Sequence, residues 1–284
     1  IDAVVKLQKE GKTVFTAKTD NQGKAELWPD LFEQNIQPDL SQYTLNINNG
    51  AATISQVKTI DQGVNQTIVS SGPPSGNIEI AFVVDATGSM GDELEYLKVE
   101  LVDVLSRVKS ANPEALIRTS SVFYRDKGDE YVTRISKFTQ NTSTTIGFIK
   151  DQEAGGGGDF PEAVHSALEA AITQLSWSST ARTRLLFLVL DAPPHYQQDV
   201  IEDIHAYNKM AAEKGIKIIP VTASGIDKQT EFLMRFMSVS TNSTYVFITN
   251  HSGIGNDHLE PTIGEYEVEF LNDLMVRLIN HFAE

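Results

Sequence analysis

Two stretches of this chain are almost free of polar residues until their last position: "IEIAFVVD", residues 78–85, and "RLLFLVLD", residues 184–191. A strand with one wet face alternates apolar and polar side chains. A run that is apolar nearly throughout is covered on both faces, as parallel strands between two layers of helices are. These runs therefore call for an α/β architecture, and the spacing that follows them agrees. Leu94, Leu97, Leu101, Val104, Leu105 and Val108 recur at helical intervals and mark one helix face. Val164, Ala167, Leu168, Ala171, Ile172 and Leu175 mark another. Between them, "LIRTSSVFY" and "YVTRISKFT" joined by "RDKGDE" read as a hairpin, and a helical stretch covers about 143–152. "IKIIPV" and "TYVFIT" are further strands, each preceded by a helix, and a last helix spans about 265–283.

Before residue 70 the pattern is different. "AVVKLQ", "TVFTAKT", "KAELW", "YTLNIN" and "TISQVKTI" are short alternating runs separated by Gly11, "DNQGK" and "NNG". This predicts a small antiparallel β-sandwich over residues 1–70. "SGPPSG" supplies a linker at 71–76, and residues 77–284 form the doubly wound, mostly parallel, Rossmann-like domain.

Composition narrows the chemistry. The chain has 284 residues, 40% hydrophobic and 21% charged, with a formal net charge of −15. Such a surface repels phosphate backbones, which argues against a nucleic-acid partner, and it suits a cation. There is no cysteine, so disulfides, thiolate nucleophiles and cysteine-based metal centres are excluded. No apolar run reaches the ~18 residues of a membrane span. The first residue is Ile1, which is read as a processed start with any signal peptide removed.

Both apolar strands run into an aspartate, Asp85 and Asp191. In open α/β sheets, ligands bind beyond the carboxyl ends of the strands, where the winding reverses. If the two strands are neighbours, the two carboxylates meet there. Thr87 and Ser89 follow Asp85 at every second position, a spacing that turns alternate side chains the same way in an extended loop. One carboxylate and two hydroxyls, joined by Asp191, form an all-oxygen set that suits a hard divalent cation. Each piece also has a plainer reading. Ser89 can cap the next helix, Asp85 can accept from nearby backbone N–H groups, and Asp159 before "FPE" can be a helix N-cap. "GGGG" at 155–158 lacks the Lys-Ser or Lys-Thr of a phosphate loop, so glycine there reads as close backbone approach to a crowded site. A hydrolase is a further alternative: Ser89, Asp191 and His195 occur in the serine–acid–histidine order of one hydrolase fold, although the glycine of its nucleophile elbow is replaced by Thr87.

The motifs together resemble those of von Willebrand factor type A domains. "FVVDATGSM" is similar to the first metal-site motif of that family, "GGGGDFPEAV" to its glycine-rich second segment and "LVLDAPPH" to its third. "FYRDKGDEYV" resembles a hairpin of its bacterial and protist branch. The resemblance covers about 77–284 and implies a metal-ion-dependent adhesion site. Its ligands would be Asp85, Thr87, Ser89 and Asp191, with Asp159 where many members carry threonine. If Asp159 is a ligand the site is more anionic, which weakens its pull on an acidic partner and moves its preference toward Ca²⁺. "KTDNQGKAEL" makes the N-terminal segment similar to carboxypeptidase-regulatory-like or transthyretin-like modules. The function implied is non-enzymatic adhesion or protein recognition. A divalent cation, Mg²⁺ first with Ca²⁺ or Mn²⁺ as alternatives, is gripped by an acidic side chain of the partner. Pairing such a domain with a β-sandwich implies an extracellular, cell-surface or periplasmic setting. A structural surface module with a vestigial site completes the alternatives.

Overall fold

The structure is a computed structural model that describes residues 1–29, 31, 38–70, 75–158, 160–223, 226–248 and 269–284. The two apolar runs become strands β5 (Asn77–Asp85) and β8 (Thr183–Leu190), which pair in parallel from Ile78↔Thr183 to Val84↔Val189. Phe82 and Phe187 sit side by side in this register with stacked rings 5.9 Å apart. β6 (Leu116–Tyr124) lies on the other side of β5, and β7 (Thr133–Thr139) returns antiparallel to it, forming the expected hairpin. β9 (Ile216–Thr222) and β10 (Val246–Phe247) extend the sheet beyond β8, so the order is β10-β9-β8-β5-β6-β7. The winding reverses between β5 and β8.

Because β5 is covered on both sides, its residues divide by pleat parity. Ile78, Ile80, Phe82 and Val84 join one core with α1 (Gly91–Ala111) and α6 (Leu271–Ala283). Ala81 and Val83 join a second core with α3 (Val164–Glu169) and α4 (Gln198–Lys214). α2 (Thr142–Lys150) and α5 (Lys228–Ser240) complete the two layers. All six apolar residues marking the first helix face are buried on α1. α3 continues into a wider π turn, Ala170–Gln174. The final helix begins at Leu271, not near 265; residues 265–268 lie outside the described set.

The N-terminal expectation is met in its antiparallel sheet, while the second layer of a sandwich is not found among the described residues. Among the described residues there is one four-stranded antiparallel sheet, β2-β1-β3-β4, and no second sheet to make a sandwich. β1 (Val4–Lys9), β2 (Lys12–Lys18) and β3 (Tyr43–Ile47) coincide with expected runs. β4 is only Ala52–Ile54, and "KAELW" is not a strand. Alternation still sorts the faces: Val5, Leu7, Phe15, Ala17, Tyr43, Leu45 and Ile47 point one way. That face is covered by irregular chain carrying Ala25, Leu27, Trp28 and Leu31, and by Ala212 and Phe236 from α4 and α5. The apolar residues of "KAELW" thus do cover work without ladder hydrogen bonds. An ion pair and a hydrogen bond fasten the sheet to the α/β unit: Asp2, which also holds Lys18, pairs with Arg184 at 3.1 Å, and Asn242 donates to Asp20 at 2.9 Å. Of the linker, residues 71–74 lie outside the described residues.

Candidate metal centre

Parallel pairing of β5 with β8 delivers Asp85 and Asp191 to the same end of the sheet, at the point of reversal. Asp85 is fully buried, Thr87 is 1% exposed and Asp191 is 5% exposed, while Ser89 reaches solvent. Asp85 Oδ1 accepts from the Thr87 backbone N–H at 2.8 Å and from the Thr87 hydroxyl at 2.7 Å. Thr87 Oγ1 lies 3.4 Å from Ser89 Oγ, and Ser89 stands close enough to Asp191 to oppose the rise of its pKa. Four side chains therefore form one chain of oxygens from strand end to strand end. Ser89 does not cap α1: that position falls to Met90, with no side-chain cap. The backbone-accepting role proposed for Asp85 is real but uses only one of its oxygens.

The other oxygens are what distinguish the site. Asp85 Oδ2 and Asp191 Oδ1 are buried without a hydrogen-bond partner. The Tyr124 hydroxyl is close enough to steady Asp85 slightly, yet no group completes a bond of normal geometry to Oδ2. Burial pushes the Asp85 carboxyl up to about 7, against the bonds from Thr87, and the Asp191 charge adds to the rise. Burial also raises Asp191, against the bond from Ser89. A hard cation fits this donor set: oxygen atoms only, two of them unsatisfied and anionic when the site opens to a charge. Among the described residues, no three carboxylates or imidazoles stand close enough together to hold a metal by themselves. The direct protein donors would then be the two aspartates and the two hydroxyls.

The glycine-rich segment acts as expected, by close approach. Gly156 and Gly157 have φ of +79° and +72°. A Cβ on Gly156 would fall 2.5 Å from the Asp129 carboxylate, and one on Gly157 would lie 2.9 Å from Glu162 Oε1 and 3.0 Å from Thr87 Cβ. Backbone bonds from Gly155 N to Ala86 O at 3.0 Å and from Gly88 N to Gly156 O at 3.4 Å close this segment onto the first motif. Asp159 lies outside the described residues. α3 begins only at Val164 with Ala163 at its N-cap, so the predicted helix start after 159 is displaced by several residues.

Three residues at the site escaped the sequence reading. Asp129 Oδ2 accepts from Asp126 N at 3.1 Å and Gly157 N at 3.0 Å, and so ties the β6–β7 loop to the glycines. Asp126 bonds His195 Nε2 at 2.7 Å. Glu162 is 3% exposed with Oε2 unpartnered. Burial first, then the charges of Asp85, Asp126, Asp129 and Asp191, push its carboxyl up to about 9. "RDKGDE" read only as a turn and "FPE" only as a helix start; no local pattern says that the two come together beside the glycine segment. The hydrolase constellation does not assemble as the order in sequence predicted, since His195 pairs with Asp126 and Ser89 with Asp191.

Comparison with known proteins bears on these loops as a set. Over 122 residues the chain is 30% identical to an ariadne-like RING finger protein of Acanthamoeba polyphaga mimivirus, covering 43% of this chain and 12% of that protein. Over 120 residues it is 31% identical to alpha-protein kinase vwkA of Dictyostelium discoideum, covering 42% of this chain and 19% of that one. The chain thus spans less than a fifth of the length of these curated relatives. Among solved structures, BatB from Bacteroides thetaiotaomicron and an aerotolerance-related membrane protein from Bacteroides fragilis each superpose with a TM-score of 0.46 at 13% identity. Each match covers 72% of this chain and, respectively, 98% and 99% of the other. The von Willebrand factor A domain family matches residues 79–256, more than half of the chain and all three loops of the site, and the protein belongs to that family.

Proposed function

We propose that this chain is a non-enzymatic recognition module that grips a partner protein through a hard divalent cation at Asp85, Thr87, Ser89 and Asp191. The observation that carries this reading is the pair of buried, unpartnered carboxylate oxygens, Asp85 Oδ2 and Asp191 Oδ1, joined by two hydroxyls at the sheet's point of reversal. A buried anion without a counter-charge is costly, and a chain keeps one where something from outside completes it. Bound there, Mg²⁺, or Ca²⁺ or Mn²⁺ in its place, supplies positive charge and a coordination position open to an outside oxygen. Two carboxylates at most leave a dication with no excess of negative charge, so an acidic side chain of a partner remains attractive. Phe160 and Tyr196, both exposed, flank the glycine segment and the Asp191 loop and offer apolar surface around such a contact.

Among the described residues no helix is long and apolar enough to cross a membrane. An extracellular or periplasmic setting stays part of the proposal, with the N-terminal antiparallel sheet as the module that accompanies the α/β unit. The hydrolase alternative draws no support from His195, whose bond goes to Asp126.

Calorimetric titration with MgCl₂ tests the reading. The wild-type chain is expected to bind Mg²⁺, and Asp85→Ala to lose that binding while keeping its native circular dichroism. Wild-type protein that takes up no Mg²⁺, Ca²⁺ or Mn²⁺ overturns it. An immobilised glutamate-bearing peptide should then retain the protein in Mg²⁺ and release it in EDTA, and its glutamine counterpart should not retain it.

A further inference from the structure

Glu162 remains unexplained by the four donors. Its backbone is fixed to the loop of the second aspartate: its N–H donates to Pro193 O at 2.8 Å, and a parallel bridge pairs it with Pro194. Its side chain is directed inward, 3% exposed, and Oε2 has no hydrogen-bond partner. No ion pair reaches it among the described residues. Its other oxygen lies 2.9 Å from the point a Gly157 Cβ would occupy, and Thr87 Cβ is 3.0 Å from the same point. The carboxyl thus borders the same space beside Gly157 that Thr87 borders, and Asp85 is the first of the charges that act on it. The leading charges that act on it are all acidic.

It does not, however, complete a direct ligand cage with the aspartates. No three acidic or imidazole groups among the described residues converge on one point. Between those limits one role fits. Mg²⁺ gives up its waters reluctantly, and those waters are strong hydrogen-bond donors that need acceptors in a buried site. We infer that Glu162 is a positioning residue of the cation site: its carboxylate accepts hydrogen bonds from water ligands of the ion and does not touch the ion itself. This rests on the cation reading above. It also assigns the "FPE" segment a task other than starting a helix, and it explains why position 157 must be glycine. Any side chain there would occupy the space that brings Glu162 beside Thr87.

Carboxylates that orient a metal's ligands from outside are worth about 10–100-fold in affinity. Calorimetry with MgCl₂ and CaCl₂ on wild type, Asp85→Ala, Glu162→Gln and Glu162→Asp reads this directly. Glu162→Gln should weaken Mg²⁺ by about 10-fold or more and Ca²⁺ by less, because Ca²⁺ tolerates irregular ligation and depends less on ordered water. The Mg²⁺/Ca²⁺ preference therefore falls, which a merely structural loss would not cause. Should Glu162→Gln fail to fold, Glu162→Asp keeps the charge but not the reach and is expected to show the same fall. Mg²⁺ affinity within about twofold of wild type in a folded variant overturns the inference. So does water-proton relaxation showing that Mn²⁺ gains a bound water when Glu162 is removed, since that marks Glu162 as a direct ligand. If wild type binds and Asp85→Ala does not, while Glu162→Gln is unchanged, only the role of Glu162 fails. If wild type binds no cation, the site reading fails with it.

Discussion

Strand β5 carries two buried carboxylates six residues apart, and the fold treats them in opposite ways. Glu79, near the start of the strand, is 0% exposed, but its oxygens are occupied: it pairs with Arg118 and accepts from Ser178 N at 2.8 Å. Burial raises its pKa, and the Ser178 bond and the Arg118 and Arg184 charges pull it back. Asp85, at the strand's other end, is equally buried, has an unpartnered oxygen, and has Asp191 and Glu162 for charged neighbours. The chain supplies a cation to the first carboxylate and withholds one from the second. A buried acid with its own arginine is part of the scaffold. A buried acid surrounded by other acids is completed from outside.

That contrast can be broken most forcefully at the scaffold end. Arg118→Leu should leave Glu79 buried without its ion-pair partner and with only the Ser178 bond and the Arg184 charge to offset it, at a cost of about 3 kcal/mol in urea unfolding that added Mg²⁺ should not restore. A loss under 1 kcal/mol would mean that Arg118 is not the counter-charge that matters.

The second test uses pH. Asp85 titrates near 7 in the fold against an ordinary 3.8, and Glu162 near 9 against 4.5. The folded state therefore holds these protons more tightly than the unfolded chain does. In EDTA, the stability they contribute is complete below about pH 4 and is lost as pH rises through about 7 for Asp85 and on toward 9 for Glu162. The fall attributable to Asp85 is on the order of a few kcal/mol. Asp85→Asn should remove that part, and Mg²⁺ should oppose the fall in wild type because it binds the ionised carboxylates. Wild type and Asp85→Asn with parallel pH profiles in EDTA would erase the difference between the two ends of the strand.

The smallest effect belongs to His195. Its bond to Asp126 is partly exposed, so His195→Ala should cost about 1 kcal/mol or less and leave Mg²⁺ affinity unchanged. Turnover of generic esters by wild type, lost in this variant, would instead revive the hydrolase alternative.

Much of this arrangement is legible in the chain itself. The apolar density of 78–84 and 184–190 fixes two-sided burial, and hence parallel strands under helices, because each residue's surroundings follow from its own polarity. The aspartates that end those runs, and the hydroxyls at 87 and 89, stand out for the same reason. Less legible was the N-terminal segment. Alternation identified β1, β2 and β3 correctly, but it reports only that one face is apolar, not what covers it. The cover turned out to be "KAELW" as irregular chain together with α4 and α5, where a second sheet was expected.

Glu162, Asp126 and Asp129 mark the limit more sharply. Each lies in a segment whose local signals are those of a turn or a helix start, and nothing within a few residues distinguishes them from solvated acids. Their convergence around Glu162 comes from the β6–β7 loop and the glycine segment folding together, contacts made between residues tens of positions apart. Sequence alone determined the layers, the two strand-end aspartates and the need for close backbone approach at the glycines, since these follow from polarity, periodicity and the missing Cβ. Only the tertiary structure decided which acids receive an arginine and which are left facing one another, because the energy of a buried charge depends on neighbours that the chain brings together only on folding.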